Sequence, residues 1–308
     1  MLAVNELLQQ VANGLAKGSV YALIAVGYTM VYGVLELINF AHGEVFMLGA
    51  YFGYWPARWL GYMPDSGEKP QVPAPVALLL TFGAMAACAL IGVLVERLAY
   101  RPLRNAGRLS ALITAIGISV LMQNLALVVF HADSKDFPRM IDQQSVVLGP
   151  VELPNTKLLI IGVTALMMAG LFWMVRYTRT GAAMRACSHS MKTASLMGVN
   201  VNRIISLTFA IGSAMAAVAG VLISLDQPRL TPLMGLMPGL KAFVAAVLGG
   251  IGSIPGAVAG GILLGVVESV VGGVAGTTYS EAVAFVLLIL ILLVRPSGLF
   301  GKSGREKV

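Results

Sequence analysis

Charge is scarce in this sequence. Only 11% of its 308 residues are Asp, Glu, Lys or Arg, where a soluble domain carries roughly 25%. A soluble protein of this make-up could not cover its surface with polar groups, so the composition reads as an integral membrane protein. Cysteine is rarer still. Cys88 lies in an apolar run and Cys187 in a basic loop, which excludes a disulfide framework. Long hydrophilic stretches are also missing: none exceeds about 28 residues, so no extramembrane domain is expected to carry chemistry. The start of the chain lacks a basic n-region, because Glu6 precedes the first positive residue, Lys17, and no cleavable signal is expected. What the sequence has in abundance is apolar. Hydrophobic residues make up 57%, mean hydropathy is +0.84, and 35 glycines suit close helix approach in lipid.

A membrane-crossing helix needs about 20 mostly apolar residues. Such runs lie near 14–35, 43–62, 74–95, 110–130, 157–175, 204–225, 237–252, 254–273 and 280–295. The seventh is short and is interrupted by glycines and a proline at 249–256. No ten-residue stretch alternates polar with apolar residues, so a β-barrel is excluded. The reading is an all-α polytopic membrane protein with eight to nine transmembrane helices, some broken by Gly or Pro, in a single domain spanning 1–308.

Orientation follows from the loops. Segment 96–109 holds Arg97, Arg101, Arg104 and Arg108 against Glu96 alone, and segment 176–203 holds five basic residues and no acid. With Arg295, Lys302, Arg305 and Lys307 of the tail, these stretches carry 13 of the 21 basic residues, and all three are expected in the cytoplasm. The net charge of +7 therefore reads as basic loops, not as affinity for nucleic acid. Segment 131–157, with Asp133, Asp136, Asp142 and Glu152, and segment 64–73, with Asp65 and Glu68, face outward. The N-terminus is then expected outside and the C-terminus inside.

Several motifs invite chemistry. Pro296–Ser303 resembles a phosphate-binding loop, but Pro296 stands in the first glycine position and too little chain follows to form the helix that would hold phosphate. The three histidines form no metal-ligand spacing, and His42 and Glu44 diverge on a helix. The densest polar cluster in an apolar setting is Glu36, Asn39, His42 and Glu44. Polar groups at membrane depth line a pathway or pair with each other; if helical, Glu36, Asn39 and Gly43 share a face. The alternative is an ordinary turn between the first two spans. Glu268, inside the eighth span, reads as a buried polar contact facing the bundle interior. Gly249, Gly250, Gly252, Ser253 and Gly256 mark either a broken helix, whose freed backbone meets a water-lined cavity, or a tight turn. Rows of small residues, Gly256, Gly260 and Gly261 with Gly265, and Gly212, Ala216 and Gly220, read as packing faces. The basic loop about 176–203 is expected to hold a short helix capped at Gly198, lying on the anionic lipid surface or docking into a groove of a cytoplasmic partner.

Four stretches then carry a resemblance: Gly27–Gly33, Ile38–Glu44, Gly181–Arg185 with Ala194 and Gly198, and Ala245–Gly256. In this order, across essentially the whole chain, they resemble the permease subunits of branched-chain amino-acid ABC importers. The resemblance implies a bacterial inner-membrane, multi-pass protein paired with a second, related permease. It further implies two cytoplasmic ATPase subunits, which hold ATP and Mg so that this chain needs no cofactor and is no enzyme, and a periplasmic substrate-binding protein. Gly181, Arg185, Lys192, Ala194 and Gly198 would form the ATPase-coupling element. Lys192 and Thr193 stand where many importers have Glu and Ala, so the docking loop is a divergent one. An amino acid crossing the bilayer needs polar partners, which places the translocation path at 36–44, 249–256 and Glu268. Competing readings are an ABC permease for urea, amides or other amino acids, a proton-coupled carrier using Glu36, Glu44 or Glu268, and a passive channel.

Overall fold

A backbone buried in lipid must satisfy its own hydrogen bonds, and each of the nine apolar runs does so as a helix. The computed structural model describes residues 4–63, 70–104, 107–142 and 144–301. Asp65, Glu68, Lys302, Ser303, Arg305 and Lys307 lie outside the described residues. The helices are α1 (Val4–Leu35), α2 (His42–Trp59), α3 (Ala74–Val95), α4 (Arg108–Phe130), α5 (Asn155–Tyr177), α6 (Arg179–His189), α7 (Met191–Leu196), α8 (Val201–Asp226), α9 (Leu236–Gly249), α10 (Ile254–Ala275) and α11 (Thr277–Val294). A π-helical turn, Glu96–Tyr100, extends α3. Among the described residues six helices are long and apolar enough to cross a membrane: α1, α3, α4, α5, α8 and α10. The shorter α2, α9 and α11 have 18, 14 and 18 residues. Described strands are confined to two small antiparallel pairs: β1 (Lys135–Asp136) with β4 (Arg229–Leu230), and the hairpin β2 (Ser145–Leu148) with β3 (Val151–Pro154).

The bundle has a basic end and an end of mixed charge. Leu299 and Phe300 donate their N–H groups to the carbonyls of Leu248 and Gly249, and Arg104 donates to Asn202 at the start of α8. Arg185 also borders Phe300, so the described parts of the three basic stretches share one end. At the other, Val72 N–H meets the carbonyl of Arg139, Phe137 N–H that of Pro228, and Gln9 meets the backbone of Glu152. Helices α1 and α8 run through the centre, buried along most of their length, while α3, α4 and α5 present apolar faces outward. The most extensive seam is α1 against α10. A Cβ on Gly265 would lie 2.3 Å from the Cα and N of Gly18, so the two backbones touch.

Two elements differ from the sequence expectation. The loop 176–203 holds two helices instead of one, because Ser190 (φ −164°) leaves helical geometry and its Oγ accepts from Thr193 N–H at 3.2 Å, starting α7 anew. The segment 36–41 is not helical, so Glu36, Asn39 and Gly43 do not share a helix face: Glu36 takes φ +54° and ends α1.

Candidate functional site

From Leu35 the chain turns back into the bundle unwound, and α2 restarts well inside it. His42 packs edge-on against Tyr28 at 4.9 Å between ring centroids. Its Nε2 sits where a Cβ on Gly27 would be, 2.1 Å away, and Gly27 in turn touches Gly212 of α8. Gly27 precedes the end of α1 by about 12 Å, and Gly212 follows the start of α8 by about 16 Å. Of the cluster, His42, Glu44 and Asn39 are each at most 3% exposed, and Glu36 is exposed. Glu44 points away from His42, as residues two apart on a helix must, and accepts from Gln123 Nε2 at 2.7 Å and Ser119 Oγ at 3.3 Å on α4. Asn39 Oδ1 accepts from the Tyr100 hydroxyl at 2.9 Å.

Helix α9 also begins inside the bundle, against the start of α2. A Cβ on Gly43 would meet the Gly235 carbonyl oxygen at 2.7 Å and Gly239 Cα at 3.0 Å. Neither start carries a capping side-chain hydrogen bond: the residues before them are Ala41 and Gly235. Two helix N-termini, each the positive end of its dipole, therefore meet at depth, an arrangement suited to a carboxylate.

Glu268 lies elsewhere, in a seam among α1, α9 and α10. Oε1 receives Lys17 Nζ at 2.9 Å and Lys241 Nζ at 2.6 Å, and Oε2 receives the Tyr21 hydroxyl at 2.8 Å. Glu268 is 1% exposed and Lys241 6%. It is a buried polar contact facing the interior, as read from its position.

The glycines at 249–256 form a tight turn at the basic end, not a break at the depth of Glu268. Gly250 (φ +103°) and Gly252 (φ +95°) reverse the chain, and Ser253 caps α10 by accepting from Gly256 N–H at 3.2 Å. The turn is pinned by Leu299 and Phe300 and borders Arg185. So of the three stretches marked out in the sequence, 39–44 and Glu268 lie at depth on separate seams, Glu36 is exposed at the end of α1, and 249–256 lies at the basic surface.

The basic loop folds against the ends of α5 and α8. Thr178 Oγ1 caps α6 through Gly181 N–H at 3.1 Å, and Gly181 lies against the Val175 carbonyl with no room for a Cβ. Arg185 donates to the carbonyls of Val175 and Arg176, closing the C-terminus of α5. Ala194 is buried, Lys192 is exposed, and the neighbours Leu196 and Met197 are each 81% exposed beside Gly198, which holds φ +83°. Burial in α6 pushes the Cys187 thiol above its ordinary range.

Sequence reasoning missed the partners of these groups. Lys17, Lys241 and Tyr21 around Glu268, and Gln123 and Ser119 around Glu44, carry no local signal because they come from remote helices. Glu96 entered only as the one acid of a basic stretch. It is fully buried and accepts from Ser206 Oγ at 2.6 Å and from Arg104.

A helical bundle with discontinuous helices meeting inside it and a folded basic loop at one end defines a membrane permease. The comparisons with known proteins specify which kind. The family model described as branched-chain amino acid transport system / permease component matches residues 10–292, and the chain belongs to that family. It is 45% identical to the high-affinity branched-chain amino acid transport system permease protein BraD of Pseudomonas aeruginosa, over 100% of both chains. It is 46% identical to the corresponding protein LivH of Escherichia coli K12, over 98% of this chain and 97% of that one. To a probable LivH of Methanocaldococcus jannaschii it is 25% identical over 92% of this chain and 89% of the other.

Proposed function

We propose that this chain is a permease subunit of an ATP-driven importer of branched-chain amino acids, Leu, Ile and Val, in the bacterial inner membrane. Family membership along nearly the whole chain carries this reading. A second, related permease completes the path, two cytoplasmic ATPase subunits hold ATP and Mg, and a periplasmic binding protein delivers the substrate. The path runs beside Asn39, His42 and Glu44, where the starts of α2 and α9 offer positive dipole ends to the substrate carboxylate. Contacts there are transient, because a permease fed by a binding protein must release its cargo. Gly249–Gly256 borders the cytoplasmic mouth, and Glu268 holds the helices that frame the path.

The test is to purify the tagged chain with its complex intact, identify the subunits, and measure uptake into proteoliposomes loaded with ATP. ATP-dependent accumulation of leucine, but not of urea, is expected. Accumulation by the chain alone under a proton gradient would replace this reading with a secondary carrier.

Two further results follow. The basic end lies in the cytoplasm. Lys192→Cys is therefore expected to react with impermeant thiol reagents only from inside the cell, and Asp133→Cys only from outside; the reverse pattern overturns the orientation. The loop Gly181–Gly198 seats in the ATPase, with Leu196 and Met197 as its exposed apolar contact and Lys192 at its rim. Space around Gly198 is open, since nothing lies within 4 Å of an added Cβ. Valine there is opposed only by the backbone, at about 1–2 kcal/mol. Gly198→Val should lower ATP-dependent uptake several-fold at normal expression, and Gly198→Asn, which tolerates the left-handed region, should retain it.

A further inference from the structure

The basic end contains a buried carboxylate that the transport reading leaves without a task. Glu96 is 0% exposed, on a π-helical turn, a geometry frequent at functional sites. Its Oε2 accepts from Ser206 Oγ at 2.6 Å, and its Oε1 accepts from Arg104, with Arg101 Nε at 3.6 Å. Arg104 reaches on to Asn202 Oδ1 at 2.6 Å. Ser206 and Asn202 belong to the first turns of α8, directly after the basic loop, and Val199 N–H bonds back to the Ala194 carbonyl of α7 at 3.1 Å. Four residues beyond Glu96, in the same π turn, Tyr100 packs on Phe209 and donates its hydroxyl to Asn39. A continuous set of contacts thus runs from α7 through the start of α8, Arg104, Glu96 and Tyr100 to the unwound segment before α2.

Stability alone is a weak reason for such a group. Apolar residues of similar volume commonly hold helices together as well as a buried ion pair does. What a buried, directional network adds is a fixed relation between the elements it joins. We propose that Glu96 is a positioning residue for transport: it locks the first turns of α8 to the π turn, so that movement of the basic loop is delivered through Tyr100 to Asn39. This rests on the importer reading above and names the residues that would convert loop movement into a change at the path.

The experiment uses the assembled transporter in proteoliposomes and measures ATP hydrolysed per leucine accumulated. Tyr100→Phe removes only the hydroxyl that reaches Asn39; Glu96→Gln removes the charge but keeps the shape. Each is expected to leave hydrolysis within about twofold of wild type and to raise ATP consumed per leucine by roughly tenfold, the scale of coupling changes caused by residues that touch neither ligand. An unchanged ratio in Tyr100→Phe overturns the proposal, as does a parallel fall of hydrolysis and uptake, which marks a mere staple. If Glu96→Gln does not assemble, Tyr100→Phe decides alone. A wild-type complex that moves no leucine defeats the importer reading instead, a result distinct from either.

Discussion

Glu268→Leu is expected to leave little folded permease. The substitution removes the shared partner of two ammonium groups, one of which, Lys241, is only 6% exposed. Breaking a buried pair by removing one member costs about 3–5 kcal/mol, because an uncompensated charge remains inside. Tyr21 also loses the acceptor of its hydroxyl. The three helices joined there, α1, α9 and α10, include one of the two helices buried at the centre of the bundle, so local damage spreads. The measurement is thermal unfolding in detergent, followed by loss of the monodisperse peak. The second arm is Glu268→Leu with Lys241→Met, which removes both buried charges together and should recover most of the loss. A single variant as stable as wild type would show that the cluster does not hold the helices.

Gly265→Val is expected to be nearly as damaging, by a different route. Its Cβ would stand 2.3 Å from the Cα and N of Gly18 and 2.7 Å from the carbonyl oxygen of Gly14. Those are backbone atoms, so no side chain can swing aside; α1 and α10 must separate. Overpacking in a close-packed interior costs typically about 1–3 kcal/mol, and a backbone seam without slack lies at the upper end. Helix association in lipid relies on packing rather than on hydrophobic drive, so the loss should appear as reduced membrane-inserted, folded protein. The control is Gly117→Val on α4, where nothing lies within 4 Å of an added Cβ and near-normal yield is expected.

The readability of this chain follows from what each residue can decide locally. Nine apolar runs became nine helices because lipid leaves a backbone little alternative. Glu268 announced a buried partner, since a carboxylate cannot stand alone there, but Lys17 lies 251 positions away and only packing brings it near. The glycines at 249–256 left a broken helix and a tight turn both open; the turn, and its place at the basic end, follow from contacts with residues 298–300. The cluster 36–44 stayed open between path and turn. Glu36 at positive φ, a conformation that a non-glycine residue rarely signals, turns the chain back and stays exposed itself, while Asn39, His42 and Glu44 are buried beyond it. Ser190 was legible as a helix start, being a serine just before a helical stretch, yet the basic loop invited a single helix.

The pairing of Lys17 with Glu268 also dictates an order of events during synthesis. The lysine of α1 waits for a carboxylate 251 residues downstream, a delay of roughly 10–50 s at ordinary rates of translation. Throughout that interval Lys17 must stay near the outer water or snorkel toward it. In the finished bundle its side chain keeps 34% exposure, so α1 can hold its place while it waits, and the ion pair that ties α1 to α10 closes only near the end of synthesis.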